Sequence, residues 1–139
     1  MKILIDTNVI LDVLLKREPF CKAAIEVLEL AKLNNVQEYV SASAITDIYY
    51  LACRQLKNKE LARGLLKKLL TVVSVAGVSE QEINEALELE WNDFEDSVQY
   101  SVAFLQGMDA IITRNLNDYK QSEIPVWQPE QALEEIQTN

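Results

Sequence analysis

The segment Lys2-Ile3-Leu4-Ile5-Asp6-Thr7-Asn8 decides how this chain is read. An uninterrupted apolar run stops abruptly at a carboxylate, a hydroxyl and an amide. A strand that is apolar on both faces belongs inside a parallel sheet rather than on a half-exposed one. In open α/β sheets, ligands gather outside the carboxyl ends of such strands. Asp6 therefore stands where chemistry is expected, on a rigid element, with Thr7 and Asn8 placed to support it. The competing reading is local: Asp6 or Thr7 caps the helix that follows.

Outward from that strand, the pattern alternates between helix and strand. Val9, Ile10, Val13 and Leu14 predict a short helix, and Pro19 suits the first turn of the next one. That helix carries Phe20, Ala24, Val27, Leu28 and Ala31 and closes at Asn34-Asn35. Residues 36–40 read as a second strand. Ser41 or Ser43 then caps a helix to Leu56, and Asn58 opens another to Leu70. Thr71 to Val75 is a β-branched run and reads as a strand. Ser79 and Glu82 have the form of a capping box, Asp93 caps a helix over 94–106, and Gly107 stops it. Residues 109–113 form another buried-type strand, 125–127 a short last strand, and Pro129 opens a final helix to Ile136. The alternation predicts one α/β domain over residues 1–139 with a mostly parallel sheet.

Composition narrows the chemistry. The 139 residues contain no histidine, which removes Ser–His and Cys–His nucleophiles, histidine metal sites and histidine acid–base work. Hydrolysis would have to run on carboxylates, with a hard cation held by oxygen atoms. Cys21 and Cys53 lack metal-type spacing and read as reduced core thiols of a cytoplasmic protein. No apolar run approaches the ~20 residues needed to span a bilayer, and the N-terminus lacks the layout of a signal peptide. The net charge of -9 argues against diffuse attraction to nucleic acid, but the charge is unevenly placed. Residues 54–68 carry six basic side chains against Glu60 alone, whereas residues 79–96 carry eight acids and no base. In the basic segment Lys59, Arg63 and Lys67 form a stripe at i, i+4, i+8, with Arg54 nearby. It is either a rail for an RNA backbone or the solvated face of an amphipathic helix.

Two strands end alike, in Asp6-Thr7-Asn8 and in Thr113-Arg114-Asn115. If they are neighbours, their polar ends share one crevice. Asp47 interrupts an apolar and aromatic helix segment without a capping use. Asp96 lies in a first helical turn, where the helix dipole alone would favour an acid. Several carboxylates within about 4–6 Å raise one another's pKa unless a cation neutralises them. An oxygen-only set of this kind suits Mg²⁺ or Mn²⁺, which can activate water for attack on a phosphodiester.

Four stretches carry a resemblance: residues 3–12, Ser43-Ala44-Ile45-Thr46-Asp47-Ile48-Tyr49-Tyr50, Asp93-Phe94-Glu95-Asp96-Ser97-Val98-Gln99-Tyr100 and residues 109–119. In this order they resemble the PIN-domain family, the fold of VapC toxins of toxin–antitoxin pairs and related ribonucleases. The resemblance implies a three-layer α/β/α domain and a Mg²⁺- or Mn²⁺-dependent endoribonuclease. Asp6 and Asp96 would be metal ligands, and Asp47 falls where the family usually has Glu. Asn115 and Asp118 fall in the terminal polar loop, where many members have a further acid, and Thr7, Asn8 and Thr113 look like supporting residues. The family also implies a homodimer and a small antitoxin that masks the site. Asp47 is one methylene short and Asn115 is neutral, so a non-catalytic PIN-like protein that binds RNA or docks a partner is the alternative. A small-molecule phosphohydrolase is a third reading, weakened by Asn8 where a second Asp would be needed.

Overall fold

A computed structural model describes residues 1–137; Thr138 and Asn139, the last two positions of the expected domain, lie outside the described residues. The strands are β1 (Lys2–Ile5), β2 (Gln37–Ser41), β3 (Ser74–Ala76), β4 (Ala110–Ile112) and β5 (Val126–Trp127). They form one sheet in the order β3-β2-β1-β4-β5, with every pairing parallel. The helices are α1 (Thr7–Leu14), α2 (Cys21–Glu29), α3 (Ala42–Leu56), α4 (Lys59–Leu69), α5 (Glu80–Glu88), α6 (Phe94–Leu105) and α7 (Pro129–Gln137).

The apolar run of β1 is divided between two cores, as strand alternation requires. Ile3 and Ile5 join Ala110 and Ile112 in a core closed by residues of α1, α2, α3 and α7. Leu4 and Ile111 face the other way, onto Val98, Val102 and Ala103 of α6 and Ala86 of α5. Helices cover both faces, which is the three-layer arrangement. Among the described residues no helix is long and apolar enough to cross a membrane.

Most element ends follow local chemistry. Ser41 Oγ accepts from Ser43 N, Asn58 from Leu61 N and Asp93 from Asp96 N, each opening a helix. Glu82 Oε1 accepts from Ser79 N at 2.9 Å, completing the capping box. Gly107, at φ +70°, ends the segment after α6 in the left-handed region that glycine tolerates. Two expectations shift. Helix α2 begins at Cys21, two residues after Pro19. The strand expected over 71–75 is confined to Ser74–Ala76. Thr71 N donates to Lys68 O, while Val72 N and Val73 N donate to Leu69 O, so the close of α4 takes the backbone donors a strand would have used.

The topology sets the position of the site. The chain winds from β1 through β2 to β3, then returns to lay β4 on the other side of β1. The carboxyl ends of β1 and β4 therefore flank the switch point of the sheet, where side chains can gather without blocking a crossover.

Candidate active site

Asp6 and Thr113 leave β1 and β4 side by side. The register pairs Ile5 with Ile112, and Asp6 N donates to Ile112 O at 2.9 Å. The two similar strand ends thus share one crevice. Asp6 is 5% exposed. Its Oδ1 accepts from Thr7 N at 2.7 Å and Gln99 Nε2 at 2.9 Å. Its Oδ2 accepts from Thr113 Oγ1 at 2.8 Å and, more weakly, from Asn8 Nδ2 at 3.4 Å. Capping and site-building are therefore not alternatives: one oxygen caps α1 while the other ties β1 to β4. Asn8 extends the tie, since its Nδ2 donates to Thr113 Oγ1 and its Oδ1 accepts from Arg114 N.

At Asp6 lies an open cleft of about 310 Å³ whose polar lining is Thr7, Asn8, Asp93, Glu95, Asp96, Asn115 and Asp118, with Leu11, Arg17 and Leu51 also in its wall. Asp96 enters from the first turn of α6, where its Oδ1 accepts from the buried Tyr119 hydroxyl at 3.3 Å. Partial burial, together with the charges of Asp6, Asp93 and Asp118, pushes the Asp96 carboxyl up to about 7. The Tyr119 phenol is pushed above its ordinary range, first by burial and then by Asp6 and Asp96, so it remains a proton donor to the carboxylate.

Asp47, on α3, does not line this cleft. It is exposed and hydrogen-bonded to Glu95, which does line it. Glu95 is pushed up to about 7, first by burial, then by its bond to Asp47 and by the charges of Asp47, Asp93 and Asp6. The basic side chains Arg54, Lys59, Arg63 and Lys67 are exposed on α3 and α4, outside the cleft lining. Arg63 approaches the Tyr49 hydroxyl on α3.

Sequence reasoning missed three contributors. Gln99 is 1% exposed and its amide aims at Asp6; the only sign was a polar residue among the buried positions of α6. Glu95 stood beside Asp96 in the Asp93–Asp96 run without being singled out. Asp12 is fully buried at the foot of α1 and receives Arg114 Nε at 2.6 Å and Nη2 at 3.1 Å. The Arg114 guanidinium also lies 3.9 Å over the Phe20 ring. Arg114 thus fastens the β4 exit to α1 and α2, and its fork is already occupied.

The donor set is carboxylate, hydroxyl and amide oxygen, which are ligands for a hard cation. Among the described residues, Thr7 Oγ1 and Gln99 Oε1 are buried without a hydrogen-bond partner, and Asp96 is crowded by three other carboxylates. Both features fit a cation held through water. Among the described residues, however, no three acids or thiols converge into a ready-made metal cage.

Comparison with known proteins agrees with this architecture. Ribonuclease VapC1 of Aquifex aeolicus (strain VF5) is 25% identical over 123 residues, covering 85% of this chain and 84% of that protein. The structure of VapBC2 from Rickettsia felis, bound to a DNA fragment from their promoter, superposes with a TM-score of 0.73 at 20% identity, covering 92% of this chain and 98% of the other. VapC20 of Mycobacterium tuberculosis, described as a sarcin-ricin loop cleaving toxin, gives a TM-score of 0.63 at 18% identity over 78% of this chain and 86% of that one. The profile of the PIN domain matches residues 2–117, from β1 through β4 into the loop that carries Asn115, so this chain belongs to the PIN domain family.

Proposed function

We propose that this protein is a metal-dependent endoribonuclease of the VapC type, the toxin of a toxin–antitoxin pair. The observation that carries this is the set of carboxylates gathered at the β1–β4 switch point, with Asp6 braced by four donors and Asp96 crowded by Asp6, Asp93 and Asp118. The likeness to Ribonuclease VapC1 supports the substrate class, and the solved VapBC structures support an antitoxin as partner. The basic stripe of Arg54, Lys59, Arg63 and Lys67 would carry the RNA backbone toward the cleft. On this reading the protein would work as a homodimer in the cytoplasm.

Asp6 and Asp96 would hold Mg²⁺ or Mn²⁺, with water completing the shell, since Mg²⁺ keeps several waters and needs only one or two carboxylates. When bound, the ion would supply a nucleophilic water and neutralise the charge that develops on the phosphate. The rest of the work falls to the chain. Gln99, Thr113 and the α1 N-terminus hold Asp6 in one orientation. Tyr119 holds Asp96. Asn115 and Asp118 position water or phosphate at the cleft mouth. Asp47 acts through Glu95, orienting it toward the cleft.

The test is cleavage of a mixed RNA substrate with Mg²⁺ or Mn²⁺ by the wild type and by Asp6→Asn, which keeps the cap. Cleavage should fall at least ~100-fold, about 2.7 kcal/mol of barrier, and EDTA should abolish it. Cleavage that survives both treatments sinks the assignment. A second reading, a non-catalytic PIN protein that binds RNA or docks a partner, is favoured by the exposed Asp47 and by the lack, among the described residues, of a ready-made acidic cage. RNA binding without cleavage at any metal concentration would establish it.

A further inference from the structure

We propose that a small cleft next to the acid site receives the base of the nucleotide flanking the scissile phosphodiester and favours bases that carry an exocyclic amine. This rests on the ribonuclease reading and adds to it a specificity subsite. The cleft measures about 90 Å³ and is lined by Trp91, Asn92, Asn117, Lys120 and Gln121 together with Asp93, Asp96 and Asp118. Those three acids also line the larger cleft. The two depressions therefore share a wall, and a phosphodiester at Asp96 leaves its neighbouring nucleoside within reach of the smaller one. At that size it admits the edge of a base rather than a whole nucleotide.

The lining suits a base for three reasons. Trp91 is a fixed aromatic surface: its ring packs on Tyr100 at 4.8 Å and meets Tyr119 edge-on at 6.0 Å. A preset ring loses little freedom when a base stacks on it. Among the described residues no hydrogen bond holds the side-chain amides of Asn92, Asn117 or Gln121, and each offers both a donor and an acceptor, as base edges do. Lys120 is the one cation in the lining and suits the adjoining phosphate as a point charge.

The selectivity follows from the acids. Carboxylate oxygens accept hydrogen bonds, so Asp118 and the Oδ2 of Asp93, whose Oδ1 is taken by the N–H of Asp96, favour the amines of adenine, cytosine and guanine. They disfavour uracil, whose single ring N–H lies between two carbonyls. Tyr119 connects the subsite to the chemistry, because its ring meets Trp91 while its hydroxyl donates to Asp96. A seated base would steady the carboxylate that faces the phosphate.

The experiment has two arms. In the first, an RNA pool randomised around the cut is cleaved with Mn²⁺ and the new ends are sequenced. Wild-type cuts should show roughly tenfold depletion of uridine at one flanking position, the low end for one hydrogen bond to a charged group. The double variant Asn117→Asp, Gln121→Glu, which exchanges two amides that donate and accept for carboxylates that only accept, should deepen that depletion and still cut. In the second arm, Trp91 fluorescence in a Trp127→Phe background is titrated with oligoadenylate, oligocytidylate and oligouridylate in EDTA. The first two should quench at lower concentration than the third. Cleavage with an unchanged base profile in the double variant overturns the subsite and leaves the ribonuclease reading standing. Selective quenching without cleavage supports the subsite and removes the catalytic reading. Neither cleavage nor quenching in the wild type overturns both.

Discussion

Asp6 ends β1 and Glu38 lies inside β2, one strand away, and both are closed off from water at 5% and 3% exposure. Their surroundings differ completely. Four donors from α1, α6 and the β4 exit converge on Asp6. Glu38 stands opposite Ile3 in the register, and among the described residues neither of its carboxyl oxygens has a hydrogen-bond partner. Burial alone pushes it from its ordinary 4.5 up to about 8, so it sits in the folded chain as the neutral acid at pH 7. Burial therefore does not by itself mark a candidate site acid. What distinguishes Asp6 is its place beyond the carboxyl end of a strand, where helix starts and loops bring donors. Mid-strand, the backbone donors are committed to the ladder, and the layers above and below are apolar.

The contrast can be broken first at Glu38. Between pH 4.5 and about 8 the folded chain holds a proton that the unfolded chain releases. Its contribution to stability is fully present below pH 4.5, declines as pH rises, and is lost above about 8. The whole change is on the order of 4–5 kcal/mol. Glu38→Met, similar in size and without a charge to bury, should remove that slope and stabilise the protein most above pH 8. Urea melts from pH 5 to 9 check it, and parallel curves for the two proteins would show that Glu38 finds a partner.

The next largest effect is expected at Asp6. Asp6→Ala would strand the buried Thr113 hydroxyl and Gln99 amide and remove the α1 cap, costing about 3 kcal/mol, whereas Asp6→Asn should lose under half of that. Equal losses would mean that the four-donor cradle adds nothing beyond the cap. Arg114→Ala, which leaves Asp12 buried without its fork, should cost about 3 kcal/mol by the same melts. Arg114→Lys should recover little, because one ammonium cannot replace the bidentate contact and the stacking on Phe20.

The smallest effect has the opposite sign. Asp96→Asn removes a charge repelled by Asp6, Asp93 and Asp118 while keeping an acceptor for Tyr119. In EDTA it should stabilise the protein by about 1 kcal/mol. Added Mn²⁺ should raise the melting temperature of the wild type and not of this variant. A variant less stable than wild type in EDTA would show that the acids do not crowd one another.

Much of this was legible in the residues themselves. The apolar run of β1, the capping residues Ser41, Asn58 and Asp93, and the Ser79–Glu82 box act within a few positions of the chain, so they keep their meaning without tertiary context. The β-branched run at 71–75 misled because its first three residues bond back to the end of α4, and side-chain propensity carries no record of that competition. Asp47 stood out as an acid in an apolar helix, yet whether it reaches the crevice directly or through Glu95 depends on how α3 packs on α6.

By itself, the sequence determined the parallel α/β class, the exclusion of histidine chemistry by the lack of histidine, and the placing of Asp6 at a strand end. Each of these depends on residue type and local spacing. Only the tertiary structure decided that Thr113 lies beside Asp6, that Gln99 holds it across 93 residues of chain, that Glu95 belongs to the acidic cleft, and that Arg114 is committed to Asp12. Those contacts join elements far apart in sequence. They arise because β4 returns to the far side of β1, and no periodicity along the chain encodes which strand it will pair with.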